Sequence, residues 1–156
     1  MKKQLLAIAI LFLLTTGAAS AQSNVGSHDY KTALGVKFYP GAVTLKHFIK
    51  PDAALEGIAY FWKRGTRVTG LYEYHGPIKG AAGLKWYVGP GAHLGFYNNK
   101  YYGGGTTVGV DAILGLDYKI REAPINLSLD WQPSFEFGDY SGFNGNWGGF
   151  AIRYVF

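Results

Sequence analysis

His93 and Asp111 are the residues whose types could do chemistry together. An imidazole beside a carboxylate is the base and its orienting partner in a hydrolytic site, because the carboxylate fixes the tautomer and leaves the other ring nitrogen free to take a proton. Counting back from the loop after Tyr97 sets His93 opposite Asp111 on neighbouring strands. The nucleophile is missing. No His-x-Ser arrangement occurs, and Ser128 and Ser134 fall two strands from His93, so no catalytic residue is assigned. His28, His47, His75 and His93 have no short ligand spacing, and the chain has no Cys, so neither a metal nor a cofactor is expected. Gly103-Gly104-Gly105 lacks the following Lys-Ser/Thr and the helix of a phosphate loop, and reads as a flexible loop. Lys63, Arg64 and Arg67 lie around one turn and would make charge-assisted bonds to phosphate if that turn faces outward.

The elements that must position these residues are strands. Eight are predicted, over residues 31–39, 42–49, 54–62, 66–75, 83–97, 106–120, 125–137 and 147–156, with Gly and Pro at nearly every junction. Alternation is cleanest in the second half. Leu84, Trp86, Val88, Pro90, Ala92, Leu94 and Phe96 share one face, and Lys85, Tyr87, Gly89, Gly91, His93, Gly95 and Tyr97 the other. In the next strand Val108, Val110, Ala112, Leu114, Leu116, Tyr118 and Ile120 oppose Thr107, Gly109, Asp111, Ile113, Gly115, Asp117 and Lys119. Such an apolar face is a liability in water and solvent-matched in lipid.

The N-terminus agrees. Lys2 and Lys3 precede an apolar run from Leu5 to Leu14, too short to span a bilayer as a helix, and Ala19-Ser20-Ala21 offers a cleavage site. Residues 1–21 are thus expected to be a signal peptide and residues 22–156 one barrel domain. The remaining chain has no second apolar run long enough for a membrane helix, so a crossing must use strands, and only a closed barrel satisfies their edges in lipid. The formal charge of +5 is too mild and too scattered to argue for nucleic acid.

The last strand is the sharpest feature. Phe150, Ile152, Tyr154 and Phe156 alternate with Gly149, Ala151, Arg153 and Val155. With the signal peptide and the alternating strands, this resembles the small outer-membrane β-barrels of the OmpA/OmpX type. The resemblance implies an all-β, antiparallel up-and-down transmembrane barrel of about eight strands in a Gram-negative envelope. It further implies recognition of Phe150, Ile152, Tyr154 and Phe156 by the outer-membrane assembly machinery, contact with membrane lipid and lipopolysaccharide, and a monomer. Some barrels of this class modify lipid A, which is the context in which His93 and Asp111 would matter. The compact outer loops depart from adhesins of the class.

An eight-stranded barrel is just wide enough for side chains to fill, so inward charges should pair. Arg67, Glu73, Lys85, His93, Asp111, Asp117, Asp130 and Arg153 form the expected polar network, with Glu73 opposite Lys85, His93 opposite Asp111, Tyr87 opposite Asp117 and Asp130 near Arg153. Trp62, Trp86, Phe96, Tyr118, Phe135, Phe137, Trp147 and Tyr154 are the expected interface aromatics. His47 shares parity with Val43, Leu45 and Ile49 and faces lipid unless a bulge re-aims it. A structural or interaction role without catalysis follows. Three alternatives stay open: a narrow pore, given small residues at Gly57, Ala59, Gly89, Gly91, Gly109 and Gly115, a lipid A-modifying enzyme that would use His93 and Asp111, and a soluble lipocalin-like barrel with the greasy face inside, binding an apolar ligand.

Overall fold

The computed structural model describes residues 30–98, 105–138 and 141–156. The expected signal peptide, His28 and Gly103-Gly104 lie outside the described residues. Ten strand segments follow one another: β1 (Thr32–Phe38), β2 (Ala42–Lys50), β3 (Ala53–Trp62), β4 (Gly65–Pro77), β5 (Leu84–Tyr97), β6 (Gly105–Lys119), β7 (Ile125–Trp131), β8 (Ser134–Phe137), β9 (Gly142–Asn144) and β10 (Gly148–Val155).

They make eight antiparallel strands. β7 and β8 are one strand: Leu114↔Trp131 and Asp111↔Ser134 keep the same register on β6, and the ladder lapses only at Gln132-Pro133, where proline has no N–H to give. β9 leads into β10 with a slip of one residue, Ser134↔Asn144 giving way to Trp131↔Gly148. The sequence reading ran residues 125–137 unbroken and placed nothing at Gly142–Asn144. The seam from Ala33↔Val155 to Phe38↔Phe150 closes the ring. The turns at 51–52, 78–83 and 120–124 form a lower rim with Tyr30 and Phe156, and those at 39–41 and 63–64 belong to the upper rim.

Side-chain alternation produces an inside-out protein. Val36, Leu45, Leu55, Val68, Leu94, Val110, Leu114 and Leu129 are all exposed on the outer wall, while Lys37, Lys46, Glu56, Arg67 and Arg153 are buried within. This overturns the lipocalin-like alternative, which needs an apolar interior. The hydrophobic cluster inside is small: Ala42, Ile58, Tyr60, Leu71, Tyr87 and Ile113.

Two pairs of face assignments need correction. Gly57 and Ala59 belong to the outer wall, because Glu56, Ile58 and Tyr60 take the inner positions of β3. Trp62 and Trp147 are not interface aromatics: they pack inside the upper mouth against Tyr60, with the Trp62–Trp147 ring centroids 5.3 Å apart. The bulge in β2 falls after Phe48, too late to turn His47, which keeps its outward parity and is half-buried.

The charged lumen as candidate functional site

Twelve buried ionisable side chains of Lys, Arg, His, Asp and Glu line the described lumen: Lys37, Lys46, Arg67 and Arg153; Glu56, Glu73, Asp111, Asp117, Asp130 and Glu136; His75 and His93. A buried charge is costly unless it is paired and hydrogen-bonded. Each of these is answered by another strand or by a neighbour on its own.

In the lower half, Arg153 is the hub. Its guanidinium pairs with Glu56 and donates to Thr44 Oγ1 at 3.2 Å, Asn126 Oδ1 at 3.2 Å and Ser128 Oγ at 2.7 Å. Thr44 in turn donates to Glu56. Lys46 Nζ lies 2.8 Å from Glu73, 3.3 Å from Glu56 and 3.7 Å from Asp117, and sits 4.1 Å over the Tyr87 ring. None of these ion pairs has hydrogen-bond geometry at Nζ, so the ammonium is held by charge from several sides. Tyr30 and Asn126 donate to Asp117 at 3.0 and 2.9 Å.

At mid-height Asp130 accepts from Lys37 Nζ at 2.5 Å and from the Tyr87 hydroxyl at 2.8 Å. Above it Arg67 pairs with Asp111, whose carboxylate also accepts from Gln132 at 3.0 Å and meets His93 Nδ1 at 2.8 Å. Arg67 NH1 stands 3.6 Å from Glu136, and the guanidinium lies 4.3 Å over the Trp147 ring. Trp62, Trp147 and Tyr60 cap this layer at the mouth.

Of the eight residues read from the sequence, seven are buried in this network, and Lys85 is half-buried near the lower rim. The expected partners are largely wrong. β4 does not stop at His75: Gly76 and Pro77 pair with Trp86 and Lys85, which puts Lys85 opposite Pro77 rather than Glu73. Tyr87 stands opposite Gly115, and Lys85 opposite Asp117. Asp130 is opposite Gly149, while Arg153 is opposite Asn126 and turns to Glu56. His93 is opposite Gly109, two residues from the expected register, yet still reaches Asp111 diagonally. Arg67 is buried against Asp111 and so leaves the turn cluster to Lys63 and Arg64.

Lys37, Lys46, Glu56, His75 and Glu136 were not singled out. Parity marks them: Val36 and Phe38 face out and so Lys37 faces in, and Val43 and Leu45 do the same for Lys46. The inner glycines leave no open column. A Cβ on Gly109 would stand 2.4 Å from the His93 ring, and one on Gly115 2.5 Å from the Tyr87 ring. These two glycines are each the seat of a ring from the facing strand, while a Cβ on Gly89 or Gly91 would meet the Tyr72 carbonyl or the Leu71 side chain.

Ser134 lies beside Asp111 across the β6–β8 ladder, where it accepts from Arg67 NH1 at 3.4 Å. Among the described residues no hydroxyl is hydrogen-bonded to His93. The arrangement can lock strands together by charge; it offers no activated nucleophile.

No protein-family model matches this chain, and no curated protein matches it. A solved structure does: the N-terminal β-barrel domain of Pseudomonas aeruginosa OprF, with a TM-score of 0.59 at 18% identity over 80% of this chain and 94% of that one. At that identity the likeness is one of fold, and the fold of this chain is the closed eight-stranded antiparallel barrel of the OmpA type.

Proposed function

We propose that the chain is an integral outer-membrane barrel with a structural or interaction role, its lumen sealed by its own ion pairs. The observation that carries this is the outer wall. On β5 the outward Trp86 and Phe96 bracket Val88, Pro90, Ala92 and Leu94. The ten residue-to-residue steps between them, at ~3.4 Å each and tilted by about 40°, rise roughly 25 Å, the height of the apolar band of such barrels. Tyr74, Tyr118 and Tyr154 ring the lower margin of the wall, and Phe38, Phe61 and Phe137 the upper.

The filled interior favours this over a narrow pore. The outward stripe Phe150, Ile152, Tyr154 and Phe156 supports recognition by the outer-membrane assembly machinery, and Lys63 and Arg64 at the upper rim suit lipopolysaccharide phosphate.

Fractionation of the native protein, with gel mobility compared before and after boiling, tests the reading. An outer-membrane band that shifts on heating is expected, together with no steady single-channel steps in a planar bilayer. Recovery in the soluble periplasm would overturn insertion, and resolved steps would overturn the sealed lumen.

A further inference from the structure

The hairpin of β8 and β9 has few backbone bonds to the rest of the wall. Among the described strands β9 pairs with β8 alone. β8 pairs with β6 over four residues, Val108↔Phe137 to Asp111↔Ser134, and the ladder lapses beneath them at Gln132-Pro133. A short ladder with a gap under it opens locally at low cost. On the lumen side the one charged residue of β8 is Glu136.

That anchor is incomplete. Glu136 Oε1 is buried and has no hydrogen bond; Arg67 NH1 stands 3.6 Å from it. His93 Nε2 is 3.9 Å from the same oxygen and is likewise buried without a hydrogen bond. Two buried polar atoms, each lacking a partner, thus lie close to one another. The strands account for the placement. His93, Gly109 and Glu136 form one row across β5, β6 and β8. The imidazole occupies the space beside Gly109 that a Cβ would need, so the ring can reach over β6 toward β8. Asp111 holds Nδ1 at 2.8 Å, which leaves Nε2 as the free nitrogen.

The charged groups that face His93 are Arg67 from β4, Asp111 from β6 and Glu136 from β8. Gln132 and Ser134 complete the layer without charge. One permanent cation therefore meets two carboxylates. A carboxylate only accepts, so a neutral imidazole puts its single hydrogen on Nδ1 for Asp111 and turns a lone pair toward Glu136. A proton on Nε2 corrects both faults at once. It supplies the second positive charge, and it gives Glu136 a charge-assisted donor. Histidine is the side chain that ordinarily changes charge between about pH 5 and 8. Glu136 keeps 9% of its side chain open, so the layer is not sealed from solvent.

We propose that His93 is an acid-operated latch: protonated at Nε2, it donates to Glu136 and fastens the β8–β9 hairpin to β5 across β6. The latch goes beyond the membrane reading and does not depend on it. Its sign is fixed by the geometry. The bond exists only with the proton on the ring and the hairpin docked, so the docked hairpin gains stability as the pH falls from about 8 to 6. Titration of Glu136 alone would give the opposite trend, since it removes the charge that Arg67 attracts.

Hydrogen exchange on the full chain, folded to its heat-modifiable form, tests this at pH 8 and pH 6. Rates are read as protection factors, which removes the intrinsic pH dependence of exchange. The amides of β8 and β9 are expected to gain about fivefold in protection at pH 6, and those of β2 and β3 to stay unchanged. His93→Gln should abolish the gain and Glu136→Gln should remove most of it, each in a variant that keeps the heat-modifiable band. His75→Gln, which takes away the other buried imidazole, should retain it. In the ¹⁵N-labelled wild type the His93 ring should acquire its second proton over the same interval, a reading that needs no variant. A flat wild-type profile would overturn the latch, as would a His93 ring still singly protonated at pH 6. So would a gain undiminished in folded Glu136→Gln, or one spread evenly over all strands, which would assign it to another group.

Discussion

Arg153 on β10 and Glu56 on β3 are joined inside the barrel although β1 and β2 lie between them. Both are fully buried. The pair spans the closing seam, so it holds together strands that share no backbone hydrogen bond. Breaking a buried ion pair by removing one partner leaves the other charge stranded, at a cost of about 3–5 kcal/mol. Arg153→Met and Glu56→Gln should each destabilise the refolded barrel to that extent. The double variant should recover part of the loss, with a coupling of roughly 0.5–3 kcal/mol in urea unfolding. Arg153→Met combined with Asp130→Asn should be close to additive, because Asp130 is served by Lys37 and Tyr87 instead.

Tyr87 and Gly115 form a unit of another kind, a ring laid across the place where a side chain is absent. Tyr87→Phe keeps the ring and removes the hydrogen bond to Asp130, a cost of about 1–3 kcal/mol. Gly115→Val is expected to cost as much or more, since its Cβ would stand 2.5 Å from ring carbon and overpacking is destabilising by about 1–3 kcal/mol. The exchange variant, Tyr87→Gly with Gly115→Tyr, should regain stability over Gly115→Val. The midpoint temperature at which the compact gel band is lost reports all three.

Phe156 offers a test that tells assembly apart from stability. Its side chain is half exposed, and its backbone is paired with Thr32 in both directions at 2.9 and 3.1 Å. Phe156→Ser leaves those bonds in place, so the unfolding free energy of the refolded protein should move by less than about 0.5 kcal/mol. Insertion in cells should fall several-fold, measured as the fraction of newly made protein reaching the heat-modifiable form. Equal losses in both assays would make Phe156 a stability residue only.

The barrel was legible because its signal is local. A period of two assigns each residue to a face within its own strand, and a register error of two leaves the face unchanged. That is why His93 and Asp111 still meet although neither is opposite the other. Gly57 and Trp62 were misassigned by not carrying that rule along β3, where Glu56 and Tyr60 fix the parity. The partners across the lumen were not legible. Arg153 finds Glu56, and Lys46 finds Asp117, through the tilt and stagger of the closed ring, which no short stretch of sequence records. The hairpin between β4 and β5 adds a smaller obstacle, since Gly76 and Pro77 read as loop yet continue the ladder.

The seam between β1 and β10 also governs the order of events during folding. It joins the first described strand to the last, so the most distant contacts in sequence are the ones that complete the ring, and such contacts form slowly. Until Ala33 meets Val155, two strand edges stand open, each a template for pairing with another chain. No shorter run of these strands can shelter its own edges. The molecule therefore has no safe half-built form, and a chain waiting for β10 depends on being kept apart from its neighbours until the ring can shut.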